Sequence, residues 1–368
     1  MKNNIWFIRS FIVACSAMIL FATSLSAQNP NTVNFPAYSS QTREIMTFPK
    51  VLDYEVLSCD FHIHTIFSDG LVWPTLRVSE AWTQGLDAMA ITDHIEYRPF
   101  KNYTNSDNNT SFDIAKSAAD QTGLLLIKGT EITRKQSVFG HFNALFISDA
   151  NPIAVEDPKQ AIVEAKKQNA FIIWNHPGWA VDSTYIKDFQ ENLIKEGFVK
   201  GIEVYNSTEF YPRALAWAID RNLTIIAAGD VHGNVESGTL KREGVHRPMT
   251  LLLVKEHSLT GIREALNAGR TLAFFHNFLA AKEEIAKGFV EASISIKKEF
   301  SNDKSTFYTL TNKSSVPFKM FFNKDLYELP ALSAISVSVP KGASKISVVF
   351  ENIFVYENRT LAHDLQLN

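Results

Sequence analysis

Nine side chains of metal-ligating type recur along the middle of this chain: His62, His64, Asp69, His94, Glu131, His141, His176, Asp230 and His232. The first run reads Asp60-Phe61-His62-Ile63-His64-Thr65-Ile66-Phe67-Ser68-Asp69-Gly70, and the last reads Ala228-Gly229-Asp230-Val231-His232-Gly233. Six of the ten histidines belong to this set. Strand side chains alternate with period two, so a His-x-His on a strand turns both imidazoles to one face and offers two nitrogens to one ion. Imidazole and carboxylate suit Zn, Mn or Fe ions, and the lack of thiolates argues against a structural zinc finger. The pattern predicts a metalloenzyme holding several metals. A carboxylate shared by two such ions keeps them about 3.5–4 Å apart and acidifies water between them. The resulting hydroxide is a nucleophile for phosphorus, while the ions neutralise charge on the phosphoryl oxygens.

These residues need elements to carry them. From about 56 to 280, apolar runs alternate with amphipathic segments. Strands are expected at Leu57–His62, Ala88–Thr92, Leu124–Glu131, Asn143–Ile147, Phe171–Asn175, Gly201–Tyr205, Ile225–Gly229 and Met249–Val254. Helices are expected at Pro74–Thr83, Phe112–Thr122, Pro158–Gln168, Tyr185–Glu196, Ala214–Arg221 and Leu259–Ala268. Strands separated by helices predict parallel βαβ units, a barrel or a doubly wound sheet. The ligand-type residues fall at or just past strand C-termini, the rim where such folds build sites. After about residue 285 the period becomes two, with strands expected at Glu291–Lys297, Phe307–Thr311, Phe318–Phe322, Ile335–Val339, Lys345–Phe350 and Ile353–Tyr356 and no helix among them. That predicts a small antiparallel β-sandwich. His363 reads as a surface residue.

At 368 residues, 45% hydrophobic and 20% charged, the chain has a globular composition and room for a large domain and a smaller one. A formal charge of -3 leaves no electrostatic footprint for nucleic acid or an anionic membrane. Lys2 and Arg9 precede an apolar run from Phe11 to Thr23 and then Ser24-Leu25-Ser26-Ala27, the layout of a secretory signal peptide. Cleavage is expected after Ala27, or after Ser26. The apolar run is short for a bilayer that takes ~20 residues to cross, so no span is expected once it is removed. Its loss takes the formal charge from -3 to -5. Cys15 leaves with it, so Cys59 has no disulfide partner and reads as a small buried residue on the first strand. The expected organisation is a signal peptide at 1–27, an extended lead-in at 28–55, a metal-binding barrel at 56–284 and a sandwich at 285–368.

The ordered series His62-x-His64, Asp69, Ile91-Thr92-Asp93-His94, Gly129-Thr130-Glu131, His141, Asn175-His176-Pro177 and Gly229-Asp230-x-His232 resembles the PHP family, named for polymerase and histidinol phosphatase. The resemblance covers roughly residues 55–280. It implies a distorted (βα)7 TIM-like barrel with three divalent metal ions (Zn, Mn or Fe) at its C-terminal rim. One metal would take His62, His64, Glu131 and Asp230. Glu131 would bridge to a second, completed by His141 and His176, and the third would take Asp69, His94 and His232. Glu131, Asp230 and His232 are the expected catalytic residues. Arg134, Arg247 and His246 are candidates to grip a phosphate, although Arg247 precedes a strand and would then sit at the barrel's far end. Asp60 and Asp93 are expected to orient ligand imidazoles. Trp174, Trp179, Tyr205 and Tyr211 are candidates for a stacking wall or for ordinary packing.

The resulting expectation is a periplasmic or secreted phosphoesterase that hydrolyses a small phosphorylated substrate, a nucleotide or sugar phosphate monoester. Two other readings stand beside it. A phosphodiesterase or nuclease is disfavoured by the acidic charge, and a non-catalytic binding protein by the full ligand set. No feature points to a protein partner.

Overall fold

A computed structural model describes residues 42–104, 106–235 and 245–367. The signal peptide, Cys15 and residues 28–41 of the lead-in lie outside the described residues. No helix among the described residues is long and apolar enough to cross a membrane.

The eight apolar runs of the first segment are all strands, with ends within two residues of the expectation. They are β1 (Glu55–Asp60), β2 (Ala88–Ile91), β3 (Leu125–Thr133), β4 (His141–Leu145), β5 (Phe171–Asn175), β6 (Val199–Asn206), then a short β7 (Glu209–Phe210), β8 (Thr224–Ala228) and β9 (Met249–Val254). The helices follow the expected order. Those at Pro74–Thr83, Pro158–Lys167 and Pro212–Asp220 begin on proline, whose missing N–H costs nothing in the first turn. Asp157 caps the second by accepting from Gln160 N at 2.7 Å, and Ser258 caps Leu259–Ala268 by accepting from Gly261 N at 3.0 Å.

The pairing departs from an all-parallel barrel. β1, β2 and β3 are parallel, as are β5, β6 and β8. β4 instead runs antiparallel to both β3 and β5, and β9 runs antiparallel to β1. The physical reason at β4 is its connection. Only residues 134–140 separate it from β3, too few for the dozen or more that a parallel crossover needs. The sheet is therefore mixed, and among the described residues its main-chain ladder does not run all the way round. β8 meets β9 through a side chain: Thr250 Oγ1 accepts from Ala227 N at 3.0 Å and donates to Ala227 O at 2.9 Å. Among the described residues no main-chain ladder joins these two strands. Inside the curl, Leu57, Cys59, Phe61, Ile127, Phe171, Ile173, Ile226 and Leu252 pack with Ile262 and Leu266 of helix Leu259–Ala268. Cys59 is fully buried there, as read, and burial pushes its thiol well up, which keeps it inert.

A hairpin that periodicity did not reveal follows: β10 (Thr271–Phe275) and β11 (Phe278–Ala281). Its turn residues His276 (φ 42°) and Asn277 (φ 65°) are both left-handed, a primed turn without the glycine that normally betrays one. Helix Glu283–Ser293 replaces the start of the expected Glu291–Lys297 strand. Then come β12 (Ile294–Ser301), β13 (Ser305–Asn312), β14 (Phe318–Phe322), β15 (Asp325–Leu329), β16 (Ala334–Pro340), β17 (Lys345–Tyr356) and β18 (Arg359–Gln366). β12, β13 and β16 form one antiparallel sheet, while β14, β15, β17 and β18 pair with one another. Alternate residues of both groups, among them Leu310, Val337, Phe318, Met320 and Phe350, share one core. That core also takes in Leu272, Leu279 and Phe289, and β17 pairs in parallel with β11. His363 lies on β18 with Nε2 3.0 Å from Glu291 Oε1.

Candidate metal centre

The chain beyond β1 stays extended and is joined by the chain beyond β8. Asp230 N donates to His62 O at 2.9 Å and His64 N to Val231 O at 3.1 Å, so His62-Ile63-His64 and Asp230-Val231-His232 lie side by side. Alternation sends Ile63 into the apolar core and leaves the His62 and His64 rings 5.0 Å apart. The next pair of strands repeats the device. Glu131 N donates to Asp93 O at 3.0 Å and Ile95 N to Glu131 O at 2.9 Å, which brings His94 against Glu131. The reversal of β4 does the rest. His141 begins that strand, opposite Thr133 and Asn175, and so stands on the same rim as the C-terminal ends of β3 and β5. His176 (φ 24°) and Asp230 (φ 48°) hold left-handed backbone, a local strain of order 1–3 kcal/mol per residue that tends to collect at functional sites.

All nine side chains converge. His62 Nε2 lies 3.3 Å from Asp230 Oδ1 and 3.4 Å from Glu131 Oε2; His64 Nε2 lies 3.0 Å and 3.5 Å from the same two oxygens. The other Glu131 oxygen faces His141 Nδ1 at 3.2 Å and His176 Nε2 at 3.4 Å. His94 Nε2 and His232 Nε2 stand 3.4 Å and 3.2 Å from the two oxygens of Asp69. Burial works against the charges on Glu131 and Asp230, yet the surrounding imidazoles, His94 and His62 foremost, hold both carboxyls well below the usual range. Burial likewise opposes a charged His94, but Glu131 and Asp69 raise it to about 10. His64 goes the other way: burial and the neighbouring His94 lower it to about 4.

Comparison with known proteins bears on what this cluster belongs to. No family model matches the chain. Among curated proteins, a 5'-3' exoribonuclease of Haemophilus influenzae is 35% identical over 74 residues, which is 20% of this chain. The chain spans only 23% of that relative's length. Among solved structures, a two-domain protein from Bacteroides vulgatus ATCC 8482, described as containing a predicted PHP-like metal-dependent phosphoesterase, is 39% identical. It superposes with a TM-score of 0.85, and the match covers 89% of this chain and 100% of that one. The chain belongs to the PHP-like metal-dependent phosphoesterases.

The donor set of this PHP-like chain fits divalent cations. His62 Nε2, His64 Nε2, Glu131 Oε2, Asp230 Oδ1, Asp69 Oδ1 and His141 Nδ1 are buried and make no aligned hydrogen bond, which is costly for polar atoms with nothing to bind. Three groups bring their ligand atoms within 4.8 Å of one another: His64, Asp69, His94 and His232; His62, His64 and Asp230; and His62, Glu131 and His176. These overlap the sets that the PHP resemblance implied but regroup them. His64 also joins the Asp69 group, Glu131 falls with His62 and His176 rather than with His62, His64 and Asp230, and His141 stands at the edge with its Nδ1 3.2 Å from Glu131 Oε1.

The predicted phosphate-binding residues are not gathered there. Arg134 pairs with Glu96 and donates to the carbonyls of Thr133, Val155 and Glu156. Arg247 is 4% exposed, and its Nη2 donates to Asp60 Oδ2 at 2.6 Å. It lies at the ligand end after all, because β9 is antiparallel, but it is sealed beneath the cluster. His246 donates its Nδ1 proton to Arg247 O at 2.7 Å and stacks on Phe274 with centroids 3.9 Å apart, so its ring serves packing. Asp60 and Asp93 also differ from expectation, since they hold the chain beside the ligands, backbone and hydroxyls, rather than imidazoles. Asp60 Oδ1 accepts from His62 N and Gly229 N, and Asp93 accepts from Thr65 N, Thr65 Oγ1 and Ser68 Oγ. A Cβ on Gly229 would fall 2.5 Å from Asp60 Oδ2, so this close approach requires glycine.

Sequence reading missed the groups that do orient ligands. Glu203 is fully buried on β6; it accepts from His62 Nδ1 at 2.8 Å, from His176 N at 2.7 Å and from Asn206 Nδ2 at 2.9 Å. Asn175 Nδ2 donates to Glu131 Oε1 at 2.9 Å. Arg77, on helix Pro74–Thr83, donates to His64 O (2.8 Å), Val231 O (3.1 Å), His232 O (2.6 Å) and Gly233 O (2.7 Å). One guanidinium thus ties both His-bearing segments together. The one acidic residue in the strand Val199–Asn206, set between Ile202 and Val204, was the one sequence signal for Glu203. Of the aromatic candidates, Trp174, Tyr205 and Tyr211 are buried, whereas Trp179 is 48% exposed beside the cluster.

Proposed function

We propose that this chain is an exported, metal-dependent hydrolase of phosphoric monoesters, acting on a small organophosphate with three divalent ions held at the rim. The reading rests on one observation: nine ligand-type side chains meet around buried nitrogen and oxygen atoms that have no other partner. His62, His64, Asp230 and Glu131 would hold one ion, Glu131 with His176 and His141 a second, and Asp69, His94 and His232, joined by His64, the third. Bound ions of this kind acidify water and neutralise charge on phosphoryl oxygens. The chain's own residues do the rest. Glu203 keeps the His62 proton on Nδ1 and so leaves Nε2 free as a donor, while Asn175 turns the Glu131 carboxylate. Asp69 and His232, the most exposed of the nine, face incoming substrate. In hydrolysis water adds to phosphorus, the ester P–O bond breaks, and the leaving oxygen takes up a proton.

The proposal keeps the division into a barrel-like part at 56–284 and a sandwich at 285–368, and it keeps export through the signal peptide at 1–27. A second reading, phosphodiester cleavage, draws on the short match to the exoribonuclease. Purified protein should contain about three equivalents of divalent metal and turn over p-nitrophenyl phosphate in a chelator-sensitive way. Turnover confined to bis-p-nitrophenyl phosphate favours the second reading, and no turnover with any divalent ion rejects both.

A further inference from the structure

The rim of the cluster carries exposed aromatic rings that no ligand role explains. Trp179 follows His176 by three residues and is 48% exposed; Tyr97 follows His94 by three and is 55% exposed. Both are held against ligands. Trp179 lies 5.3 Å from the His176 ring and 5.8 Å from His141, and Tyr97 lies 6.1 Å from His94, edge-on. The His94 and His141 rings are themselves 6.2 Å apart, so the two aromatics border neighbouring ligands on the same rim. Trp179 is fixed by its backbone. Its N–H donates to His176 O at 3.0 Å, and Gln136 Nε2 donates to the same carbonyl at 3.0 Å. Gly178 lies flush on Tyr211, where a Cβ would come within 2.6 Å of the ring. A large apolar ring held rigidly with half its surface in water loses little entropy when something flat covers it.

We infer that Trp179, with Tyr97 on the same rim, is a specificity-determining residue that stacks on a flat aromatic or heterocyclic ring in the leaving group. This inference rests on the phosphomonoesterase reading and narrows its substrate class. A bare sugar phosphate has no face for Trp179 to cover. A nucleoside phosphate has both the ring and the phosphate, the latter reaching the cluster beside it.

Adenosine monophosphate and ribose phosphate test this, because they share the sugar and the scissile bond and differ in the base. The wild-type enzyme is expected to favour the nucleotide by roughly ten-fold in kcat/KM, chiefly through KM, as one stacked base commonly contributes. Trp179→Ala should collapse that ratio towards one and Trp179→Phe should keep most of it. Equilibrium dialysis of adenosine, which has no ester to cleave, gives a second readout: saturable binding weakened roughly ten-fold by Trp179→Ala. An unchanged ratio with unchanged adenosine binding overturns the inference and leaves the phosphomonoesterase reading standing. So does a change of oligomeric state in Trp179→Ala, which would make the rings a contact between copies. If neither phosphate is hydrolysed with divalent metal, the phosphomonoesterase reading falls and the inference with it.

Discussion

Glu203 Oε1 lies 2.8 Å from His62 Nδ1, and both side chains are fully buried. A carboxylate on the far nitrogen of an imidazole fixes its tautomer and raises its strength as a ligand. Glu203→Ala should therefore weaken metal binding by roughly 10- to 100-fold, while Glu203→Gln, which still accepts from Nδ1, should lose less. Metal content after dialysis against graded chelator measures this. Wild-type retention in the alanine variant would show that Glu203 only packs.

His62 and Asp230 each face other members of the cluster from the centre of the site. His62→Ala or Asp230→Ala should abolish turnover, with the circular dichroism spectrum of the folded protein preserved. A wild-type rate in either variant, with metals supplied, would remove that residue from the centre.

Arg77 is 1% exposed, pairs with Glu80 at 2.7 Å, and donates to four carbonyls of the two His-bearing segments. Arg77→Met strands those acceptors and the Glu80 charge. Unfolding stability should drop by about 3–5 kcal/mol, the usual loss when one partner of a buried ion pair is removed. Arg77→Lys, which lacks the planar fork, should fall between the two. Thermal denaturation monitors both variants, and a Tm within a degree of wild type for Arg77→Met would contradict the clamp.

The half-buried ring of His246 has its Nε2 shielded from water, and burial lowers its pKa from the ordinary 6.5 to about 4. The unfolded chain thus takes up a proton below pH 6.5 that the folded chain refuses until about pH 4. Stability from this group is complete above pH 6.5 and lost as pH falls across that window. The loss is about 1–3 kcal/mol by pH 4, allowing for the part of the ring that reaches water. His246→Phe, which keeps the stack on Phe274, should flatten the fall of Tm over this range. An unaltered slope would assign the acid sensitivity elsewhere.

Truncation after residue 284 should not leave a sound barrel. It removes β17 from the edge of β11, where Leu279 pairs with Ile353 and Ala280 with Phe354, and strips Phe289, Phe318 and Phe350 from a shared core. The shortened chain should aggregate or unfold on size-exclusion chromatography. A monodisperse fragment that keeps its metals would show instead that the first segment folds alone.

Local pattern was enough to name the candidate ligands and the elements that bear them. His-x-His alternation depends only on strand period, and helix starts at Pro74 and Pro158 depend only on what proline cannot do, whereas the helix expected from Ala214 begins two residues earlier, at Pro212. Both signals are carried by neighbours in the chain. Strand direction is not. The reversal of β4 and β9 brought His141 to the rim and Arg247 beneath it, where alternation had suggested parallel units throughout. Partner choice was equally hidden. Glu203 lies 141 residues from His62, and Arg77 lies 154 to 156 residues from the Val231, His232 and Gly233 carbonyls it grips. A lone glutamate in an apolar strand, or an arginine on an amphipathic helix, looks the same in sequence whether it meets water or a buried imidazole. The chain's order specified which atoms can bind metal; only packing decided which groups hold them in place and which rings are left open to solvent.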